Sequence, residues 1–588
     1  MELFKTIKKG VSAFMQAEYQ QEINPETVLI NTTKKEFKGE YTVVVFPYTK
    51  LTRKKPEDIG AQIGAYLSEN FAVVDGYNVI KGFLNLELNE KHWLELIQEN
   101  WNNADYGKLA SKNSRVMVEY SSPNTNKPLH LGHIRNILLG WSCAKILEAA
   151  GYEVVKTQIV NDRGIHICKS MLAWSKWGNG ETPNSNNTKG DHLIGRYYVL
   201  YSSIEKEQKE ALVAAGKDKE EPAILQEVRE LLLKWEAGDP ETIALWKTMN
   251  GWVMDGFEET YKSLGVSFNK NYFESETYLL GKQYIDQGLT DGIFQKKEDG
   301  STFIDLTDAK LDTKTVLRAD GTSLYITQDI GTAQLRHEDW NVDKMIYVVG
   351  DEQNYHFKVL FEIMKRLKMP YAEGMYHLSY GMVDLPTGKM KSREGTVVDA
   401  DQLIAEVIAE VKAGAEERGG ITDVDPAAIP EIYRKIGLGA LKYFILKVNP
   451  QKRMLFDPKE SVDLQGNTGP YIQNAYVRIL SILRKTGAAD LELAKTYNNL
   501  DPTETGIALL LAQYPTVIAD AAKNYDPSLV GAYCYDLAKA YHKFYHDVQI
   551  MRAESEEAKA FRILLSHFTG QVLASGMLLL GAEMPERM

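Results

Sequence analysis

The stretch Glu119-Tyr120-Ser121-Ser122-Pro123-Asn124-Thr125-Asn126-Lys127-Pro128-Leu129-His130-Leu131-Gly132-His133 joins a strand-like apolar run, Val116 to Tyr120, to a helical run ending near Ala150. Ser122, Pro123, Asn124 and Pro128 disfavour regular structure between the two. Beyond Gly132 the apolar residues Ile137, Leu138, Trp141, Ala144 and Ile146 recur with helical spacing, Gly151 marks an end, and Glu153 to Val160 reads as a second strand. In a strand–helix–strand unit, ligands collect beyond the carboxyl end of the first strand, where unpaired N–H groups of the helix start favour phosphate. His130 and His133 fall on one face of that start, and Gly132 lets a flat ring or a phosphate approach the backbone. The arrangement suits a nucleotide, although two histidines at this spacing equally mark a capped helix end or a metal pair.

A chain of 588 residues is too long for one core, so three or four domains are expected. With 44% apolar and 25% charged residues the composition is that of a globular protein, and no apolar run approaches the roughly 20 residues that cross a bilayer. Met1 to Glu18 is amphipathic and lacks arginine or a long apolar centre, so it reads as a helix of the mature fold and not as an address. Cys143, Cys168 and Cys534 show no paired spacing, so neither a disulfide framework nor a cysteine zinc site follows, which fits a reducing cytoplasm. A net charge of −12 argues against a generally basic nucleic-acid binder but leaves room for local basic faces.

Tyr41 to Phe46 reads as a strand, Lys50, Arg53, Lys54 and Lys55 as a basic cluster, and Pro56-Glu57-Asp58 as a helix start. Phe71 to Leu88 reads as a hairpin turning near Asp75-Gly76. After Asn161-Asp162-Arg163-Gly164 come an irregular stretch, Trp174 to Gly190, and a charged helical one, Ile204 to Trp235; residues from about 168 to 322 read as material inserted in a nucleotide-binding fold. Its second half resumes with a strand at Ser323 to Thr327 whose end carries Asp329, followed by a helix to Glu338 and a strand Met345 to Val349. The turn Gly350-Asp351-Glu352-Gln353, a helix from Asn354 to Leu367 and a strand near Tyr376 to Val383 complete it. This alternation argues for a parallel sheet with helices on both faces, and from Leu403 onward the pattern is almost wholly helical.

The opening string, with its Ser-Ser-Pro-Asn and Lys-Pro ahead of His-x-Gly-His, resembles the ATP-site signature of arginyl-tRNA synthetases, a family of class I enzymes. Gly82-Phe83-Leu84-Asn85, Gly190 to Val199, Gly437 to Phe444, Gly466 to Gln473 and the terminus Leu578 to Met588 resemble further strings of that family. The resemblance implies an α/β fold: a Rossmann-type parallel-sheet catalytic domain with insertions, a small N-terminal α/β domain and a C-terminal all-helical bundle. The expected divisions are 1–112, gripping the corner of the transfer RNA; 113–400, catalytic, with its insertions at about 168–322; 401–460, a helical connector; and 461–588, reading the anticodon.

Activation by attack of a carboxylate on the α-phosphorus of ATP is mostly a matter of positioning and charge neutralisation. His130 and His133 supply donors, Gly132 lies between them, and Lys127 is close enough to swing over the phosphates. Gly388 to Thr396 resembles the Lys-Met-Ser-Lys-Ser loop of class I synthetases: Lys389 and Met390 match, whereas Lys391 and Ser392 are exchanged. The resemblance gives Lys127 the compensating role and leaves that of Lys391 open. A guanidinium substrate asks for carboxylates aimed at one end of a dry pocket. Glu119 and Asp329 at strand ends meet that demand, Tyr325 can wall the pocket and Gln353 hold its edge; Asp329 equally suits a helix cap. The family's arginine pocket matches Glu119, Ser122, Asn124, Tyr325, Asp329 and Gln353.

The expected function is therefore arginine–tRNA ligase, with L-arginine, ATP and the cognate arginine transfer RNA as substrates. Magnesium is expected with ATP, and no protein metal site. A cytoplasmic monomer with no membrane attachment is expected, and the resemblance implies that activation needs bound transfer RNA. Another adenylate-forming enzyme and a non-catalytic RNA-binding relative are the competing classes; pyrophosphate exchange across the amino acids separates them.

Overall fold

The computed structural model describes the chain except for Met1, Lys35, 387–397, Asp423 and 488–490. It resolves into two compact units. The first holds residues 1–108, 474–519 and 533–575. Its four-stranded antiparallel sheet runs Ile30–Thr32, Tyr41–Val44, Phe83–Leu88, Val74–Ile80. The hairpin turns at Lys81-Gly82, both at positive φ, rather than at Asp75-Gly76, where the register merely shifts. The strand expected to reach Phe46 stops at Val44, because Pro47 lies in the first turn of the helix Phe46–Thr52.

Within the same unit, Tyr106 donates to the Leu511 carbonyl at 2.9 Å, and a buried guanidinium, Arg562, is held by Glu504 and, on both terminal nitrogens, by Glu554, all at 2.7 Å. Pro502–Asn524 is long and apolar enough, by length and composition alone, to cross a membrane (23 residues, mean hydropathy 1.2), although Glu504, Gln513 and Asp520 interrupt its apolar run. Glu504, near its start, is fully buried and carries the contact to Arg562.

The second unit holds residues 109–473, 520–532 and 576–588. At its centre five strands lie in the order Met375–Tyr380, Lys344–Gly350, Arg115–Glu119, Glu153–Val160, Lys270–Phe273, every pair parallel. Arg115–Glu119 is central because both its faces are apolar: Val116, Met117 and Val118 are all buried. The chain leaves it for one neighbour and later returns on the other side, so the strand order reverses beside Glu119, the place where open sheets of this kind bind ligands.

Two expectations change here. Ser323 to Thr327 is no strand: Ser323 makes an isolated bridge to Leu317, and the helix Tyr325–Trp340 begins at once, so Asp329 lies in its second turn and not at a strand end. Its buried Ile326, Ile330 and Ala333 stand at helical intervals, and that burial outweighs the local β preference of Tyr-Ile-Thr. The intervening region is also more than an insert, for Lys270–Phe273 supplies the fifth strand of the sheet. The charged run from Ile204 to Trp235 is two helices, Gly190–Ala214 and Ala223–Glu236, and the stretch expected to be irregular contains the end of Ile165–Trp177 and the short helix Pro183–Asn186.

The helix Leu131–Ala149 presses on the strand exit through Gly140, where an added Cβ would lie 2.2 Å from Cβ of the buried Tyr120. Gly140→Ala is expected to destabilise this unit by about 1–3 kcal/mol, the usual range for overpacking. An unchanged guanidinium midpoint would show that the contact relaxes freely.

Candidate active site

The carboxyl end of Arg115–Glu119 runs into Ser121 and Ser122, two successive non-glycine residues at φ 71° and 46°. Such a left-handed pair costs on the order of 1–3 kcal/mol per residue and persists only when its surroundings fix it. Here the Ser121 N–H donates to Asn136 Oδ1 at 2.5 Å, and the Ser121 hydroxyl meets that of Tyr261 at 2.7 Å. Asn136 in turn donates to the Val348 carbonyl at 2.7 Å and to the Tyr380 hydroxyl at 3.2 Å. Further on, Asn124 bridges to Asn161, and the Thr125 N–H donates to the Asn161 carbonyl at 3.0 Å. Lys127 follows, half-buried, immediately before Pro128.

His130 is the N-cap of Leu131–Ala149 and His133 its third residue. The Gly132 N–H donates to His130 Nδ1, and the His130 N–H donates to His133 Nδ1, each at 3.1 Å. Both Nδ1 atoms accept, so each neutral ring carries its proton on Nε2 and presents an N–H donor on the side away from the helix. Burial, with Lys127 adding to it, pulls His130 down to about 4; burial and His130 pull His133 well below the ordinary histidine range. The rings are therefore neutral donors near pH 7. Two features read from the sequence change accordingly. The Leu131 N–H donates to the Val398 carbonyl and the Gly132 N–H to His130, so these N–H groups of the helix start are already engaged. Gly132 is small because of the His130 ring, whose Cε1 would lie 3.0 Å from an added Cβ.

The backbone around His130 pairs with the segment leaving 387–397. Leu131 N–H reaches the Val398 carbonyl at 3.2 Å and Ala400 N–H reaches the Leu129 carbonyl at 3.0 Å, with His130 opposite Asp399. On the other flank, the fully buried Arg135 donates to the carbonyls of Met382, Pro450 and Lys452 at 3.2, 3.2 and 2.7 Å. Lys389, Met390, Lys391 and Ser392 lie outside the described residues.

Of the residues expected around a guanidinium, Glu119 and Ser122 come together, the Ser122 hydroxyl donating to Glu119 Oε1 at 3.4 Å. Glu119 also forms an ion pair with Arg336, itself buried between the rings of Tyr272 and Tyr347. Burial pushes the Glu119 carboxyl up; Arg336 opposes this, and Asp329 adds to it. Asp329, 40% exposed, meets His356 Nε2 at 2.6 Å. Tyr325 opens the same helix and is 76% exposed, standing in solvent rather than walling a closed pocket. Gln353, also exposed, ends the short turn Asp351–Gln353 beyond the strand Lys344–Gly350.

Arg135, Asn136, Arg336 and His356 were not anticipated from the sequence. The adjacent polar residues Arg135 and Asn136 inside an otherwise apolar helix carry a readable sign, as does the two-turn interval that puts Asp329 and Arg336 on one face.

Three family models cover the chain: an arginyl tRNA synthetase N terminal domain over residues 2–88, a class I (R) tRNA synthetase catalytic domain over 96–457, and a DALR anticodon binding domain over 472–588. The arginine–tRNA ligase of Bacteroides thetaiotaomicron is 52% identical over 98% of both chains, and that of Parabacteroides distasonis 51% over 100% of both. Among solved structures, the arginyl-tRNA synthetase of Thermus thermophilus superposes with a TM-score of 0.82 at 23% identity over 100% of both chains, a likeness of fold.

The tautomer assignment has a direct check. In histidine-labelled protein, with His130→Asn giving the assignment, the His130 ring is expected to stay Nε2-protonated and neutral from pH 8 to about pH 5. Its folded pKa lies below its unfolded one, so it contributes stability that is present above about pH 6.5 and lost as pH falls toward about 4. A His130 titration near 6.5 would break the assignment.

Proposed function

We propose, on the premise that this chain belongs to the class I arginyl-tRNA synthetases and uses ATP to join arginine to transfer RNA, a division of labour among its residues along the sheet's carboxyl edge. The arginine carboxylate attacks the α-phosphorus of ATP, pyrophosphate leaves, and the arginyl group then passes to the terminal adenosine of the transfer RNA. His130 and His133 donate Nε2–H hydrogen bonds to the nucleotide beside Gly132, and Lys127 neutralises phosphate charge from the preceding turn. Lys389, Met390, Lys391 and Ser392 serve the opposite side, and magnesium arrives with the triphosphate as part of the substrate. The observation that carries this reading is the pairing of Leu129 and Leu131 with Val398 and Ala400, which ends the lysine-bearing segment against the histidines.

The guanidinium goes to Asp329. Its carboxylate is partly open and, among the described residues, is bound at one oxygen, by His356, whereas the Glu119 charge already meets Arg336. Glu119 makes the lesser contribution, Ser122 and Asn124 line the strand exit, Tyr325 closes over the substrate and Gln353 holds its far edge. Residues 1–112 grip the corner of the transfer RNA and 461–588 its anticodon; activation waits for that RNA, and the enzyme works as a cytoplasmic monomer.

Replacing Asp329 with Asn is expected to cost about 3–5 kcal/mol of arginine recognition, since it leaves a desolvated guanidinium unpaired. Pyrophosphate exchange with transfer RNA present should read this as roughly a hundredfold loss or more in kcat/KM for arginine, with the KM for ATP nearly unchanged. An unaltered arginine KM would move the guanidinium to another carboxylate.

A further inference from the structure

Gly190 to Val199, singled out in the sequence and given no part in the chemistry above, touches the site at two places. At Gly195 the helix Gly190–Ala214 approaches the signature so closely that an added Cβ would sit 2.6 Å from Pro128 Cδ. One turn earlier, His192 Nε2 lies 3.1 Å from Asp399 Oδ2 and 3.4 Å from Asp401 Oδ2. Lys189, the N-cap, puts its ammonium 2.5 Å from Asp401 Oδ2 and 2.7 Å from the Thr260 hydroxyl, which meets Asp401 Oδ1 at 2.9 Å. Asp191 completes the group, fully buried, 3.7 Å from Lys189 and against Gly256, where a side chain has no room.

Asp191, His192 and Asp401 are close enough to hold a metal ion. Lys189 argues against one, because its ammonium lies against both carboxylates and supplies the positive charge a cation would bring. The group is instead an internal ion network of three carboxylates and two cations. The neighbouring carboxylates of Asp399 and Asp401 hold His192 protonated, raising it to about 10. Burial works against Asp401, but His192 and Lys189 outweigh it and lower that carboxyl to about 2, while burial lifts Asp191 to about 6.

The two clamped carboxylates flank Ala400, in the short segment whose backbone pairs with Leu129 and Leu131 on either side of His130. Asp399 also caps the helix Ala400–Glu417 by accepting from the Gln402 N–H at 3.0 Å. We propose that Lys189 and His192 are positioning residues for adenylate formation: by gripping Asp401 and Asp399 they hold the segment Val398–Ala400, and through its backbone the His130 ring, in place. They touch neither ATP nor arginine. The inference rests on the reading of His130 as a nucleotide donor.

The test is kcat for transfer-RNA-supported pyrophosphate exchange in His192→Ala, His192→Arg and His130→Ala, beside melting temperature and affinity for transfer RNA. His192→Ala is expected to lower kcat on the order of tenfold to a hundredfold, as a misplaced donor does. Melting and RNA affinity should hold, and His192→Arg, which keeps the cation, should recover most of the rate. Should His192→Ala fail to fold, His192→Gln is read the same way. An unchanged kcat, a loss that follows the melting temperature, or an arginine variant no better than alanine would each overturn the proposal. Exchange retained in His130→Ala would instead overturn the reading of the histidine motif on which it rests.

Discussion

One side-chain amide, that of Asn136, joins the parts on which the site depends. It accepts from the strained Ser121 backbone, donates to Val348 in the neighbouring strand and to the Tyr380 hydroxyl at the end of the next. A buried amide with its donors and acceptor engaged is worth more than a surface one, since losing a partner leaves a desolvated group behind. Its place on the helix Leu131–Ala149, one residue from Arg135 and three from His133, makes the same helix turn responsible for the strand exit, the histidine cap and the Met382 carbonyl. The left-handed Ser121-Ser122 turn survives because this network and Tyr261 leave it no other conformation.

Charge around the strand ends is divided by burial and partner. The histidines are neutral because they are buried and lie near Lys127 and each other, so they contribute directed N–H groups with no net charge. His192, only one turn along from Lys189 in another helix, is held cationic by two carboxylates. Three histidines of the same intrinsic basicity thus sit in opposite states near one strand exit, set by what each Nε2 and Nδ1 meets. Glu119 and Asp329 differ in a similar way: the first is shut in with Arg336, the second is partly open and leans on His356.

Periodicity made the parallel-sheet class legible, since Val116 to Tyr120, Glu153 to Val160 and Met345 to Val349 are short apolar runs separated by amphipathic helices. It misjudged Ser323 to Thr327, where three residues of β-forming type begin a helix because Ile326, Ile330 and Ala333 are drawn into the core. The hairpin turn was misplaced for a related reason: Asp-Gly is the stronger turn pair in isolation, but strand pairing put the reversal at Lys81-Gly82.

What the sequence by itself determined is the parallel-sheet class, the family, and most of the residue types that gather around the first strand exit, because these follow from local pattern and from a long specific string. Only the tertiary structure decided which nitrogen of His130 carries the proton, that Arg336 meets Glu119, and that Asp399 and Asp401 are clamped from Lys189 and His192. The last two outcomes depend on residues some 200 positions apart in the chain meeting across packed elements, while the His130 tautomer follows from a short-range bond with the Gly132 N–H whose geometry exists only once the helix cap has formed.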